Sequence, residues 1–379
     1  MDSDAELRSG HVLGVAVLFG LIHAVVDASC IALLAQHTAL SSAFGTSEAI
    51  ASLPGASVWD LYLIYNVLAF GTQFSIGAVA DRMRGYRILV QAGLALMAGA
   101  VAIGSLAPHP AIVLAGLGNA AFHVGAGAIV LRLSPNRAAA AGLFVAPGTL
   151  GVAAGNWCVG SLGHWPWLAL GLLAVCILVA WRMGDAGASR VRERPRPISI
   201  GKGLLAVCVS ALLLSIAVRS FVGLTVVSAY DHTTPVLWGL VIAAFAGKAI
   251  GGFVSDGLGW IKTSLLALLL SAPLLCFFVE EGPLAAGGML LFQMTMPVTL
   301  LAMYRAFPRE PGFAFGLTTL ALLVGAIPVL VFPAEWLSGR FMLLALILAS
   351  AGALAVGLPP ILRSVGSGNR SEPHESRGV

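Results

Sequence analysis

The sequence predicts an all-α membrane protein, with twelve transmembrane helices in two six-helix bundles and both termini cytoplasmic. Three observations predict it. Hydrophobic residues are 58% of the chain and charged residues only 10%, against about 25% charged in a soluble domain. The apolar residues gather in runs of 18 or more, long enough to cross a bilayer, where a backbone deprived of water must be helical. A landmark also occurs twice: Gly77-Ala-Val-Ala-Asp81-Arg82 returns in outline as Gly251-Gly-Phe-Val-Ser-Asp256, each time where the second long run of its half gives way to polar residues.

Twelve spans follow, at approximately 11–34, 57–80, 87–106, 108–132, 138–161, 164–183, 202–228, 235–258, 260–280, 283–306, 311–333 and 339–363. The first is too long for a removable signal peptide and lacks a small-residue cleavage site. Lys and Arg mark alternate connections. Arg8 precedes span one; Arg82, Arg84 and Arg87 follow span two; Arg132 and Arg137 follow span four. Arg182, Arg190, Arg192, Arg194, Arg196 and Lys202 flank the centre. Lys262, Arg305, Arg309, Arg363, Arg370 and Arg377 complete the set, so that 18 of the 21 basic residues share one side. That side is expected to be the cytoplasm, and the membrane the plasma membrane. The net charge of +4 is accounted for by this placement and implies no nucleic acid. Tryptophans, Trp165 and Trp260 among them, fall near span ends as an interfacial belt.

The domain organisation expected is a first bundle over 1–183, a linker over 184–201, a second bundle over 202–366 and a disordered tail over 367–379. The linker is basic and proline-containing without an apolar period, and the tail is rich in Gly, Ser, Arg and Glu. A second repeated landmark supports the duplication: Pro135 with Arg137 returns as Pro308 with Arg309, at nearly the offset that separates Asp81 from Asp256. A parallel six-plus-six repeat relates its halves by an axis along the membrane normal. The five cysteines lie in or beside apolar runs at unrelated spacings, which suggests packing and neither disulfides nor zinc.

Over nearly its whole length the chain resembles the major facilitator superfamily, and within it the fosmidomycin-resistance type of efflux protein. The residues that carry the resemblance are the Gly77–Arg84 loop motif; His23-Ala-Val-Val-Asp27; GLGNAAFHVG with Phe122 and His123; Arg219-Ser-Phe; and MPVTLLAMYRAFPRE. The fifth span, FVAPGTLGVAAGN, resembles the glycine-rich antiporter segment at Gly148, Gly151 and Gly155. It departs at Pro147 and Asn156, which leaves the direction of transport open. The resemblance implies alternating access by a functional monomer. It gives Gly77, Asp81 and Arg82, with Asp256 in the second copy, a gating role at the inner end. Because Gly257 follows Asp256 where an arginine follows Asp81, the latch is expected to be asymmetric.

Ionisable residues within the spans are the candidates for function, since a charge at mid-bilayer costs about 2.5–3.5 kcal/mol on insertion scales. His23 and Asp27 stand four apart on one helical face and form a candidate proton-coupling pair. Arg219 and Lys248 make the second half cationic and favour an anionic or zwitterionic small molecule. His123, Gln293, Asn66 and Asn119 are further candidate substrate contacts. Gln293 stands close to one repeat length after His123 and is its expected repeat partner.

The sequence contains no G-x-x-x-x-G-K-[ST], no H-E-x-x-H and no G-x-S-x-G, so neither an ATP motor nor a hydrolase is indicated and no cofactor is expected. The expected function is proton-coupled efflux of a small anionic or amphipathic compound. Proton-coupled import is the alternative. A receptor or scaffold, which would be expected to carry a large soluble appendage, is the more distant one.

Overall fold

A computed structural model describes residues 2–43, 58–183, 200–230, 235–332 and 337–366, and side chains within 10–37, 61–183, 200–230, 235–332 and 337–363. Most of the expected linker, residues 184–199, and the expected tail lie outside the described residues, as do the side chains of Trp59 and Trp336.

Among the described residues twelve helices are long and apolar enough to cross a membrane. The spans are Gly10–His37, Leu61–Met83, Tyr86–Ile103, Pro108–Leu133, Ala138–Ser161, Trp165–Met183, Lys202–Ser228, Pro235–Leu258, Trp260–Phe277, Gly282–Ala306, Pro311–Val331 and Arg340–Arg363. They are numbered one to twelve below. Two spans are broken near mid-length. Span two passes through a π turn at Val67–Gly71, and span ten is two helices, Gly282–Gln293 and Thr295–Ala306. A widened turn frees backbone groups at depth and tends to mark functional positions. Here the Thr72 hydroxyl takes up the Leu68 carbonyl at 2.6 Å.

Packing follows the duplication. Span one lies against span five, and span seven against span eleven. Across the halves, span two packs on span eleven and span eight on span five, while span four touches span eleven and span ten touches span five. Each of these contacts has its counterpart six spans on, as a two-fold relation between bundles requires.

Burial separates the helices by role. Span four has 78% of its most apolar 18-residue window buried and span six only 22%, so four is interior and six faces outward. Outward faces are apolar as well, since lipid is their solvent: Leu168, Leu172, Val175 and Leu178 on span six are all exposed. Two tryptophans depart from the expected belt. Trp165 and Trp260 are 6% and 8% exposed, whereas Trp157, Trp167, Trp181 and Trp238 are open to the surroundings.

Candidate functional site

The basic end of the molecule is closed by a latch made twice. Asp81, near the end of span two, accepts hydrogen bonds from the Gly312 and Phe313 amides at 2.9 and 2.8 Å. These amides open span eleven, so the carboxylate caps a helix N-terminus of the other half and complements its dipole. Asp256, in span eight, does the same for span five through the Ala138 and Ala139 amides at 2.8 and 3.0 Å. In each copy an aromatic residue that begins the next span steadies the carboxylate. The Tyr86 hydroxyl donates to Asp81 at 2.6 Å, and the Trp260 indole N–H donates to Asp256 at 3.2 Å. An arginine lies over each ring: Arg132 at 5.5 Å from the Tyr86 centroid and Arg305 at 4.1 Å from that of Trp260. Arg305 also reaches the Pro135 carbonyl and the Asn136 side chain of the other half.

This arrangement differs from the expected asymmetric latch built on the arginine after Asp81. Arg82 is exposed, and among the described residues no ion pair joins it to Asp81. Both aspartates find backbone amides instead, which is why the missing arginine after Asp256 makes no difference. Gly77 and Gly252 make room for it. A Cβ on Gly77 would fall on the Gly312 carbonyl, and one on Gly252 would lie 2.6 Å from the Ala138 oxygen.

Midway along the molecule three ionisable side chains converge. The His23 Nε2 atom of span one lies 3.0 Å from Asp27 Oδ2, and the His123 Nε2 atom of span four lies 3.7 Å from Asp27 Oδ1. The two imidazoles meet edge to face with centroids 4.3 Å apart. Each ring is fixed by its other nitrogen: His23 Nδ1 is 3.0 Å from the Phe144 carbonyl, and His123 Nδ1 is 2.9 Å from the Asn119 carbonyl. A carbonyl only accepts, so both Nδ1 atoms carry hydrogen and, in the neutral rings, both Nε2 lone pairs face the carboxylate. Asn119 donates to Asp27 Oδ1 at 3.2 Å and approaches Cys30 Sγ at 3.6 Å. Tyr65 of span two completes the wall beside Cys30 and Asp27.

Span five seats this cluster. A Cβ on Gly148 would strike His23 Nε2 and Asp27 Oδ2, while one on Gly151 or Gly155 would strike the Ala24 or Ala28 carbonyl. The glycine-rich segment therefore lets span one lie close enough to present His23 and Asp27. The cluster is buried but reachable, with the Asp27 side chain 16% exposed.

The second half offers cations without acids. Arg219, on span seven, is 4% exposed and donates to Thr299 Oγ1 of span ten at 2.9 Å. Lys248, on span eight, donates to Thr149 Oγ1 of span five at 2.7 Å, next to the glycine that seats Asp27. It is near enough to both Arg219 and Asp27 to interact with each through space. Among the described residues no ion pair links either cation to a carboxylate. Span seven is the counterpart of span one in the duplication, and Asp27 lies within the one as Arg219 lies within the other. Counterpart spans therefore carry an acid in one half and a base in the other.

The remaining expected contacts divide. Asn119 belongs to the Asp27 cluster. Gln293 approaches Met289 Sδ at 3.7 Å and faces Gly223 of span seven. The offset that carries Asp81 onto Asp256 and Pro135 onto Pro308 carries Asn119, rather than His123, onto Gln293. Asn66 is satisfied by the Tyr62 carbonyl of its own helix at 2.8 Å and does not join the cluster. Thr149 and Thr299 hold the two cations, yet the sequence does not single them out, because a threonine within a span carries no distinguishing signal.

No family model matches the chain, and no curated protein matches it in sequence. Solved structures do. The human organic anion transporter MFSD10 (TETRAN) has a TM-score of 0.64 at 18% identity, covering 93% of this chain and 98% of that one. The E. coli fucose:proton symporter FucP has 0.58 at 13%, covering 93% and 98%. A bacterial homologue of the iron transporter ferroportin, in an outward-facing state, has 0.57 at 15%, covering 94% and 99%. FucP is a Major Facilitator Superfamily transporter. The chain has the major facilitator fold. The resemblance to the fosmidomycin-resistance type within that superfamily has no counterpart among these structures.

Proposed function

We propose that this protein is a secondary active transporter of the plasma membrane, exchanging protons for a small anionic or amphipathic compound by rocking its two halves about a central cavity. The observation that carries the reading is the division of charge at mid-depth, with a reachable His23–Asp27–His123 cluster in one half and buried, acid-free Arg219 and Lys248 in the other. A guanidinium and an ammonium held only by hydroxyls are poised to take an anion. Carboxylates, phosphates and phosphonates suit the guanidinium fork. Asp27, faced by two imidazole lone pairs, calls for a cation between them, and a proton shared within the His23–Asp27 pair supplies it.

The latch supports alternating access. Contacts between halves run from the Asp81 and Asp256 end to mid-depth, at Thr319 with Phe70 and Lys248 with Thr149, and spans one and seven make no comparable contact. This is the arrangement of a carrier shut at its basic end. With the basic end cytoplasmic, as the positive-inside rule directs, both termini are inside and the cavity faces out. The duplication argues for a working monomer.

Import by proton symport is favoured by one departure: Pro147 and Asn156 break the antiporter pattern in the span that seats Asp27. A screen of the purified protein for thermal stabilisation by carboxylates, phosphonates and amphipathic drugs identifies the ligand class, and proteoliposome flux of the best hit then tests coupling. Flux driven by a pH gradient in the wild type, and freed from it by Asp27→Asn, is expected. Flux indifferent to the gradient in both proteins would overturn the reading.

A further inference from the structure

We infer that His23, Asp27 and His123 form a binding site for a divalent transition-metal ion of the manganese-to-zinc series, with Asn119 steadying the Asp27 carboxylate. The inference uses the side chains of the proposed proton site but does not rest on transport. Its first ground is convergence: one ligand atom from each of the three residues lies within 4.8 Å of the other two. Ligands bound at about 2.0–2.2 Å in tetrahedral array stand ~3.3 Å apart; the imidazoles lie 3.0 Å from one oxygen of the Asp27 carboxylate and 3.7 Å from the other, so small side-chain shifts bring one oxygen and both nitrogens to that spacing.

The second ground is orientation. Metal-bound histidines as a rule donate their other ring N–H to a carbonyl or carboxylate, which fixes the tautomer and aims the lone pair. Here both do so, to Phe144 and Asn119, from two different spans. Two aimed imidazoles and a carboxylate are a donor set suited to manganese, iron, cobalt and zinc.

The third ground is an outer partner. Asn119 is 1% exposed, and its Oδ1 has no hydrogen-bond partner among the described residues, while its Nδ2 is turned toward Asp27. In this orientation the amide N–H steadies the carboxylate that would hold the ion, as the outer partners of metal ligands do.

The charged and titratable groups facing the cluster are Cys30 on span one, Tyr65 on span two and Lys248 on span eight. Lys248 is held off by Thr149. Protons and the ion then compete for the same lone pairs.

The test is a titration of the purified full-length protein with Co2+ at pH 7.5, read by its visible absorption and by calorimetry. One ion per chain is expected, displaced by Zn2+ and lost reversibly at pH 5.5. His23→Ala, Asp27→Asn and His123→Ala should each weaken binding at least tenfold, and Asn119→Ala by about 10–100-fold. His164→Ala, which removes an exposed histidine outside the site, should leave it unchanged. Monodispersity and melting temperature exclude unfolding as the cause, and the pH 5.5 arm needs no variant at all. No absorption band in the wild type, or a band indifferent to all three ligand substitutions, would overturn the inference. Flux measured with a chelator keeps the two readings apart: gradient dependence surviving chelation upholds the proton reading whether or not Co2+ binds.

Discussion

The latch at the basic end and the charged centre at mid-depth both draw on the two halves, but they treat the duplication in opposite ways. At the latch the halves do the same thing: aspartate, aromatic, arginine and the far helix N-terminus recur at a nearly constant offset, and both copies bond backbone amides. At the centre the halves have parted, with an acid on span one and a base on its counterpart span seven, Asn119 in one half where Gln293 stands in the other, and two histidines in one half only. A device that closes a gap between two rigid bodies works best when it pulls evenly on both sides of the axis. A binding site for an unsymmetrical ligand gains nothing from symmetry. The repeated part is therefore read as the machinery of closure and the divergent part as the chemistry.

That comparison can be broken at the centre first. Asp27→Asn and Arg219→Ala should each reduce gradient-driven flux by about 100-fold or more while leaving the fold intact, because each removes the charge its half contributes. A larger loss from a latch substitution than from either of these would reverse the assignment.

The seat of the cluster is next. Gly151→Leu would push span one away from span five and carry His23 and Asp27 with it. A loss of about 2–4 kcal/mol is expected, as for other overpacked helix contacts, read as a lower melting temperature and weakened ligand stabilisation. Gly160→Leu, at a position with open space around it, should do neither.

Symmetry itself is tested at the latch. Asp81→Asn and Asp256→Asn each weaken two charge-assisted bonds and a dipole contact, for which about 1.5–3 kcal/mol apiece is expected. Spin-label distances across the basic end should shift toward the open population by similar amounts in the two variants. A strong effect from one and none from the other would show that the duplication is a relic.

The smallest expected effect is that of the aromatic supports. Tyr86→Phe loses one hydrogen bond, about 0.5–1.5 kcal/mol, and Trp260→Phe loses its indole donor while keeping a ring beneath Arg305. Both should open the latch slightly and leave ligand affinity in the closed state alone.

How much of this the sequence made legible follows from what kind of atom does the work. Apolar runs are long and lipid leaves no alternative to helix, so the spans could be read with their ends within a few residues. The twice-written G-x-x-x-D also stood out. What Asp81 holds did not, because a backbone amide belongs to every residue and leaves no mark, and the arginine present in one copy alone led to the expectation of an asymmetric latch. Trp260 looked like a belt residue for the same reason: position near a span end is shared by anchors and by a ring stacked under an arginine. The His23–Asp27 pair was visible as i, i+4 spacing, and His123 was visible only as a polar residue at the right depth. That His123 points at Asp27 depends on how span four lies against span one, which no local pattern records. The pairing of Gln293 with Asn119, by contrast, was already written in the offset of the other landmarks.

The central claim is that the cation cluster of the first half and the anion-receptive wall of the second address one cavity. It is tested most directly by measuring the affinity of the best anionic ligand at pH 5.5 and pH 7.5, in the wild type, Asp27→Asn and Arg219→Ala, with a chelator present. Because coupling between two bound species is reciprocal, the wild type should show a pH-dependent affinity. It falls on acidification for exchange and rises for symport. The dependence should vanish in Asp27→Asn, and binding itself should be lost in Arg219→Ala. The same pH dependence in wild type and Asp27→Asn, with Arg219→Ala binding normally, would contradict it.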